Sequence, residues 1–171
     1  MMDWGFARVL FLGAVALVAA VTDYRSGLIR NALTFPAMAA ALVFSAVIGG
    51  VTGLAWGVAG LLLAFVLFFP FNAAGILGAG DTKLLMVFGA ALGPGAMVDV
   101  AALSLLVASV GAVVIIAARG RARAFAGEVG RFLRTLITPG LAVVWPKLDR
   151  KSQAPFGVAV LTGFVLKELL R

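Results

Sequence analysis

Gly75-Ile76-Leu77-Gly78-Ala79-Gly80-Asp81-Thr82-Lys83 is a glycine-rich turn that carries a carboxylate and an ammonium, with apolar sequence on both sides. An unpaired ionised Asp at membrane depth costs about 3 kcal/mol, so a carboxylate in such surroundings marks a functional site. Gly78 and Gly80 have no Cβ, which lets the backbone take unusual dihedrals and lets another segment approach closely.

Outward from this turn the chain divides into apolar runs. Upstream, a helix rich in Leu and Phe is expected from about Leu54 to Phe71, delivering the chain to Asn72. Downstream, a short helix from near Thr82 to Leu92 is broken by Gly93-Pro94-Gly95, and another follows from about Val98 to Ala118. Nearer the start, one helix is expected from about Phe6 to Val21. It ends in the polar connection Thr22 to Asn31, which places Asp23 at the membrane edge. A further helix from about Ala32 to Gly49 accepts Pro36 in its first turns, and Gly49-Gly50 then starts a tight turn. A last helix runs from about Phe156 to Leu170.

With 63% hydrophobic and 12% charged residues and a mean hydropathy of +1.14, the chain is too apolar for a soluble domain. The expected fold is all-α, a polytopic membrane protein with about six transmembrane helices forming one integral-membrane domain over residues 1–171. A net charge of +7 would suit nucleic acid only on a basic folded surface. Here the cations lie in short connections, so no nucleic-acid partner is expected.

The longest connection, Arg119 to Ser152, holds Arg119, Arg121, Arg123, Arg131, Arg134, Lys147, Arg150 and Lys151. Within it Phe125, Val129, Phe132, Leu133, Leu136 and Ile137 recur at helical spacing, the pattern of an amphipathic helix lying on anionic headgroups. Trp145 and Pro146 would anchor the return to the membrane. Placing this connection in the cytoplasm puts all but Arg8, Lys167 and Arg171 of the 14 Lys and Arg on that side, as the positive-inside rule demands. It also puts Asp23 and Asp81 at the same membrane face.

There is no cysteine and no histidine, so thiol nucleophiles, disulfides and Cys- or His-ligated metals are excluded. No metal or cofactor is expected. Proton chemistry falls to carboxylates, Lys, Tyr and water. Two carboxyls within a few ångströms cannot both ionise near neutral pH, so one holds a proton while the other is a base, and such a dyad activates water. Other readings use the same residues. Asp23 can pair with Arg25 or Arg30, and Asp81 can cap its helix or bond Lys83. A proton-coupled transporter also places acids among apolar helices, and an assembly scaffold would rely on packing glycines such as Gly49, Gly53, Gly57 and Gly60.

Three motifs add a resemblance. Asp23-Tyr24-Arg25-Ser26-Gly27-Leu28-Ile29-Arg30-Asn31, Gly78-Ala79-Gly80-Asp81-Thr82-Lys83 and Ala154-Pro155-Phe156-Gly157 occur in that order. Together they resemble the type IV prepilin peptidases, specifically the short forms associated with Flp/Tad pili. The resemblance implies an aspartic endopeptidase of the bacterial inner membrane. Its site, facing the cytoplasm, would cut the leader of prepilin or pseudopilin precursors, typically after a glycine. It implies Asp23 and Asp81 as the catalytic pair, with Gly78, Gly80, Lys83, Arg25, Asn31 and Asn72 in supporting or substrate-binding roles. Longer members carry a cysteine-bound zinc region and a methyltransferase activity, so the absence of cysteine implies a peptidase without methylation. Arg30 stands where the family usually has proline, which puts the shape of that loop in question.

Overall fold

The computed structural model describes residues 4–120, 122–137 and 155–170, and the described residues are arranged in six helices. These are α1 (Trp4–Ser26), α2 (Asn31–Ala73), α3 (Ala79–Leu92), α4 (Pro94–Ala118), α5 (Ala122–Ile137) and α6 (Phe156–Leu169). The chain divides into two compact units, Met1–Ala108 with Pro155–Arg171 and, separately, Ser109–Ala154. All the residues of the candidate site belong to the first.

α1 buries Leu12, Val15, Ala16, Ala19 and Asp23, a spacing of three and four that makes one core-facing stripe. The helix runs further than the polar composition of its end suggested, so Asp23 is on a helix face and not in a connection. Hydroxyls explain this: Thr22 Oγ1 donates to the carbonyls of Val18 at 2.9 Å and Ala19 at 3.0 Å, and Ser26 Oγ to that of Thr22 at 2.6 Å. Polar side chains folded back onto helix carbonyls satisfy themselves without leaving the helix. Gly27, at φ 63°, ends it with its N–H on the Asp23 carbonyl, the usual left-handed glycine stop.

α2 is two arms broken at Gly50 (φ 59°, ψ −144°), where the tight turn was expected. The chain reverses there, because a Cβ on Gly57 would lie 3.2 Å from Ser45 Cβ and 2.6 Å from the Ala90 carbonyl oxygen. Gly53 faces the Ser45 carbonyl, and Gly60 and Gly89 face each other's backbone. Small residues thus let α3 sink against the second arm, and Ser45 Oγ donates to the Ala90 carbonyl at 2.7 Å. α3 is the central element: Thr82, Leu84, Leu85, Val87, Phe88, Gly89, Ala90 and Ala91 are all buried. At its far end the Arg8 guanidinium of α1 reaches the Ala91 carbonyl at 3.4 Å, a cation at a helix C-terminus.

α4 starts at Pro94, earlier than expected, because proline suits the first helical position after the turn at Gly93 (φ 80°). α6 packs along α1, and Phe164 meets Phe88 of α3 edge-on at 5.2 Å. Helices cover each of the six apolar runs, as α1, the two arms of α2, α3, α4 and α6. Three helices, α1, α2 and α4, are long and apolar enough to cross a membrane. α3 and α6, at 14 residues each, are shorter than the roughly 20 residues of a full crossing. α5 is a helix where the basic connection was expected to form one; Lys147, Arg150, Lys151, Trp145 and Pro146 lie outside the described residues.

Candidate active site

Three segments far apart in sequence come together around the end of α1, through the Asp23–Gly157 hydrogen bond and the close approach of Gly80 to Ile29. The first is the last turn of α1 with the connection that follows, the second is the glycine turn opening α3, and the third is the first turn of α6.

Asp23 is delivered by the core stripe of α1, four residues after Ala19, and its carboxylate is buried. Oδ2 accepts the N–H of Gly157 at 2.8 Å. Gly157 is in the first turn of α6, whose N–H groups have no partner within the helix. The expected alternative of an ion pair with Arg25 or Arg30 is not formed: the acceptor role of Asp23 Oδ2 goes to Gly157, and the ion pairs seen include Arg131–Glu128 and Lys167–Glu168. Arg25 is exposed in the last turn of α1 and is not brought to the site.

Asp81 occupies the third position of α3, outside the three candidate spans. Its Oδ2 accepts the Gly78 N–H at 3.1 Å, so the capping role open to it is in use. Burial first, and then the neighbouring Asp23 carboxylate, push the Asp81 carboxyl up to about 7, against the pull of the Gly78 N–H.

The glycines have separate reasons. A Cβ on Gly80 would lie 2.8 Å from both Cβ and the carbonyl oxygen of Ile29, so Gly80 is what allows the start of α3 to touch the connection after Asp23. A Cβ on Gly78 would lie 2.7 Å from Asp81 Oδ2, in the path of the cap. Asn72 Nδ2 donates to the Leu77 carbonyl at 3.1 Å and braces the turn from within. Lys83 does not pair with Asp81. Its Nζ donates to Asn31 Oδ1 at 2.7 Å and sits 4.9 Å from the Phe35 ring centroid, tying α3 to the start of α2.

Arg30, in the place of the expected proline, has φ −76° and ψ 141°, dihedrals a proline adopts without strain. The hydrogen bonds of this junction run to its carbonyl, from Leu33 and Thr34. Arg30 thus holds a backbone conformation that proline also adopts. Arg30→Pro should leave function intact and stabilise the fold by roughly 0.4–1 kcal/mol, read as a small rise in melting temperature in detergent.

A family model described as the type IV leader peptidase family matches residues 10–117. The chain belongs to the type IV leader peptidase family. The matched residues hold both Asp-bearing motifs of this leader peptidase family member and stop short of α6. No curated protein and no solved structure was found to match the chain. Among the described residues no group of three or more carboxylates, cysteines or histidines is placed to hold a metal.

Gly157 was not singled out as a site residue from sequence. Its signal was the Ala154-Pro155-Phe156-Gly157 motif, which contributed to the resemblance without a role for Gly157, and nothing local in that motif reveals a hydrogen bond to a residue 134 positions away.

Proposed function

We propose that this family member is a membrane aspartic endopeptidase. It would cleave the leader of Flp-like prepilins at the cytoplasmic face of the bacterial inner membrane, with Asp23 and Asp81 sharing the activation of one water. The observation that carries the reading is the placement of two carboxyls in one region: Asp23 accepts the Gly157 N–H of α6, and Gly80, next to Asp81, lies against Ile29 of the connection that follows Asp23. Neither acid is paired with a described cation, and burial first, then the Asp23 carboxylate, favours the protonated form of Asp81.

In the proposed reaction Asp81 holds the proton near neutral pH and Asp23 is the base. Water attacks the scissile carbonyl carbon and gives a proton to Asp23, while the Asp81 proton polarises the carbonyl oxygen. The tetrahedral intermediate then breaks its C–N bond, and the proton taken up by Asp23 passes to the leaving amine. Both carboxyls end in their starting states. The cationic cytoplasmic connections favour an orientation with this site facing inward, and Arg123, Arg131 and Arg134 of α5 would hold that helix against anionic headgroups.

Purified protein in detergent should cut a synthetic prepilin segment at a single bond located by mass spectrometry. A protein that leaves the segment whole but carries protons into liposomes would be a transporter instead. Because the reaction needs the Asp81 proton, cleavage should decline on the alkaline side with an apparent midpoint near 7, a value belonging to the coupled pair. A rate that stays flat from pH 6 to 9 would contradict this assignment of the acid.

A further inference from the structure

Two observations meet at Gly157, outside the residues that the family model matches. Its N–H donates to the buried Asp23 Oδ2 at 2.8 Å. Its missing Cβ also matters, since an added Cβ would lie 3.0 Å from the Ala19 carbonyl oxygen and 3.1 Å from Ala20 Cα, tighter than an ordinary contact, so the two helices would have to give by a few tenths of an ångström. The first turn of α6 therefore rests directly on the α1 backbone, one turn before Asp23. An Asp side chain has a broad preference about its last torsion, so packing alone does not set the plane of its carboxylate. A short hydrogen bond to one oxygen does.

We infer that Gly157 is a positioning residue for the dyad: by seating α6 against Ala19 and Ala20 it brings a backbone N–H onto Asp23 Oδ2 and leaves Oδ1 to take the proton of the attacking water. This rests on the peptidase reading and adds α6 to the site. The effect is on the placement of a base, so it belongs to kcat and not to substrate affinity. A misplacement of about 1 Å costs roughly a hundredfold in rate.

The control lies on the same helix. A Cβ on Gly163 would come 2.6 Å from Ser104 Oγ and 2.7 Å from its backbone nitrogen, a tighter fit than at Gly157, away from the dyad. In the full-length protein, Gly157→Ala should lower kcat at least about tenfold, and Gly157→Val about a hundredfold, with KM within twofold of wild type. Gly163→Ala should leave kcat within twofold even where it lowers the melting temperature more. Parallel loss of kcat in Gly157→Ala and Gly163→Ala, or wild-type kcat in Gly157→Val, would overturn the positioning role.

A second measurement needs no substitution at Gly157. The chain has two Phe-Gly pairs, Phe88-Gly89 and Phe156-Gly157, so carbonyl-labelled Phe with nitrogen-labelled Gly gives two resolved amide signals. Asp23→Ala should move the Gly157 signal and leave that of Gly89, which reports an intact core. A Gly157 signal indifferent to Asp23→Ala would overturn the inference. If instead Asp23→Asn and Asp81→Asn both cleave at the wild-type rate, the peptidase reading itself fails, and the positioning role fails with it. Inactive Asp variants beside a fully active Gly157→Val would leave the dyad standing and remove only Gly157.

Discussion

Asp81→Asn is expected to leave a folded protein that cleaves prepilin at least about a thousandfold more slowly than wild type. The amide oxygen can still accept the Gly78 N–H that caps α3, so the start of the helix keeps its shape. What is lost is the proton with which the carboxyl would polarise the carbonyl and hydrogen-bond the developing oxyanion. A stability measurement separates this from misfolding. The folded Asp81 carboxyl is raised from 3.8 to about 7, so between those values the native state binds more protons than the unfolded chain. Stability from this group is complete below 3.8 and is lost as pH rises through about 7. Wild type should therefore lose thermal stability across that window. Asp81→Asn should be free of this decline and at least as stable as wild type at pH 8. An Asn variant that unfolds more readily than wild type at pH 8 would mean that the carboxylate is needed for structure.

The second large effect is on assembly. Gly60 lies against the Gly89 backbone, and a side chain at either position would occupy space held by backbone atoms of the facing helix. Gly60→Leu should separate α3 from the second arm of α2 and destabilise the fold by about 3 kcal/mol, the upper part of the range for overpacked cores. Because α3 carries Asp81, activity should fall together with stability. Gly49→Ala is the matched control: nothing lies within 4 Å of its would-be Cβ, so it should be neutral or gain helix stability. Thermal unfolding of the two variants in detergent checks both. Equal stability of Gly60→Leu and Gly49→Ala would mean that the α2–α3 contact is not set by the glycines.

The apolar segments and their breaks were legible because membrane helices write themselves as long hydrophobic runs. Gly49-Gly50 and Gly93-Pro94 mark two of the helix breaks by their backbone requirements alone. Both acids were legible for the opposite reason, being rare charges among apolar sequence. The end of α1 was not, since Thr22 and Ser26 look like a connection until their hydroxyls are seen bonded back to the helix. The partner of Lys83 was not legible either. Asp81 is near it in sequence, yet its ammonium goes to Asn31, a choice made by the packing of α3 on α2. The link from Gly157 to Asp23 likewise exists only after α6 has docked on α1. Helix periodicity places residues on faces, but tertiary contacts decide which faces meet.

The central claim is that Asp23 and Asp81 act as one unit. The most direct test measures cleavage of a prepilin peptide by purified wild type, Asp23→Asn, Asp81→Asn and the double variant, each confirmed folded. Residues that share one step are not additive, so each single variant should lose nearly all activity and the double variant should be no slower than the slower single one. A single variant that cuts at the wild-type rate, or two modest losses that multiply in the double variant, would contradict a shared dyad.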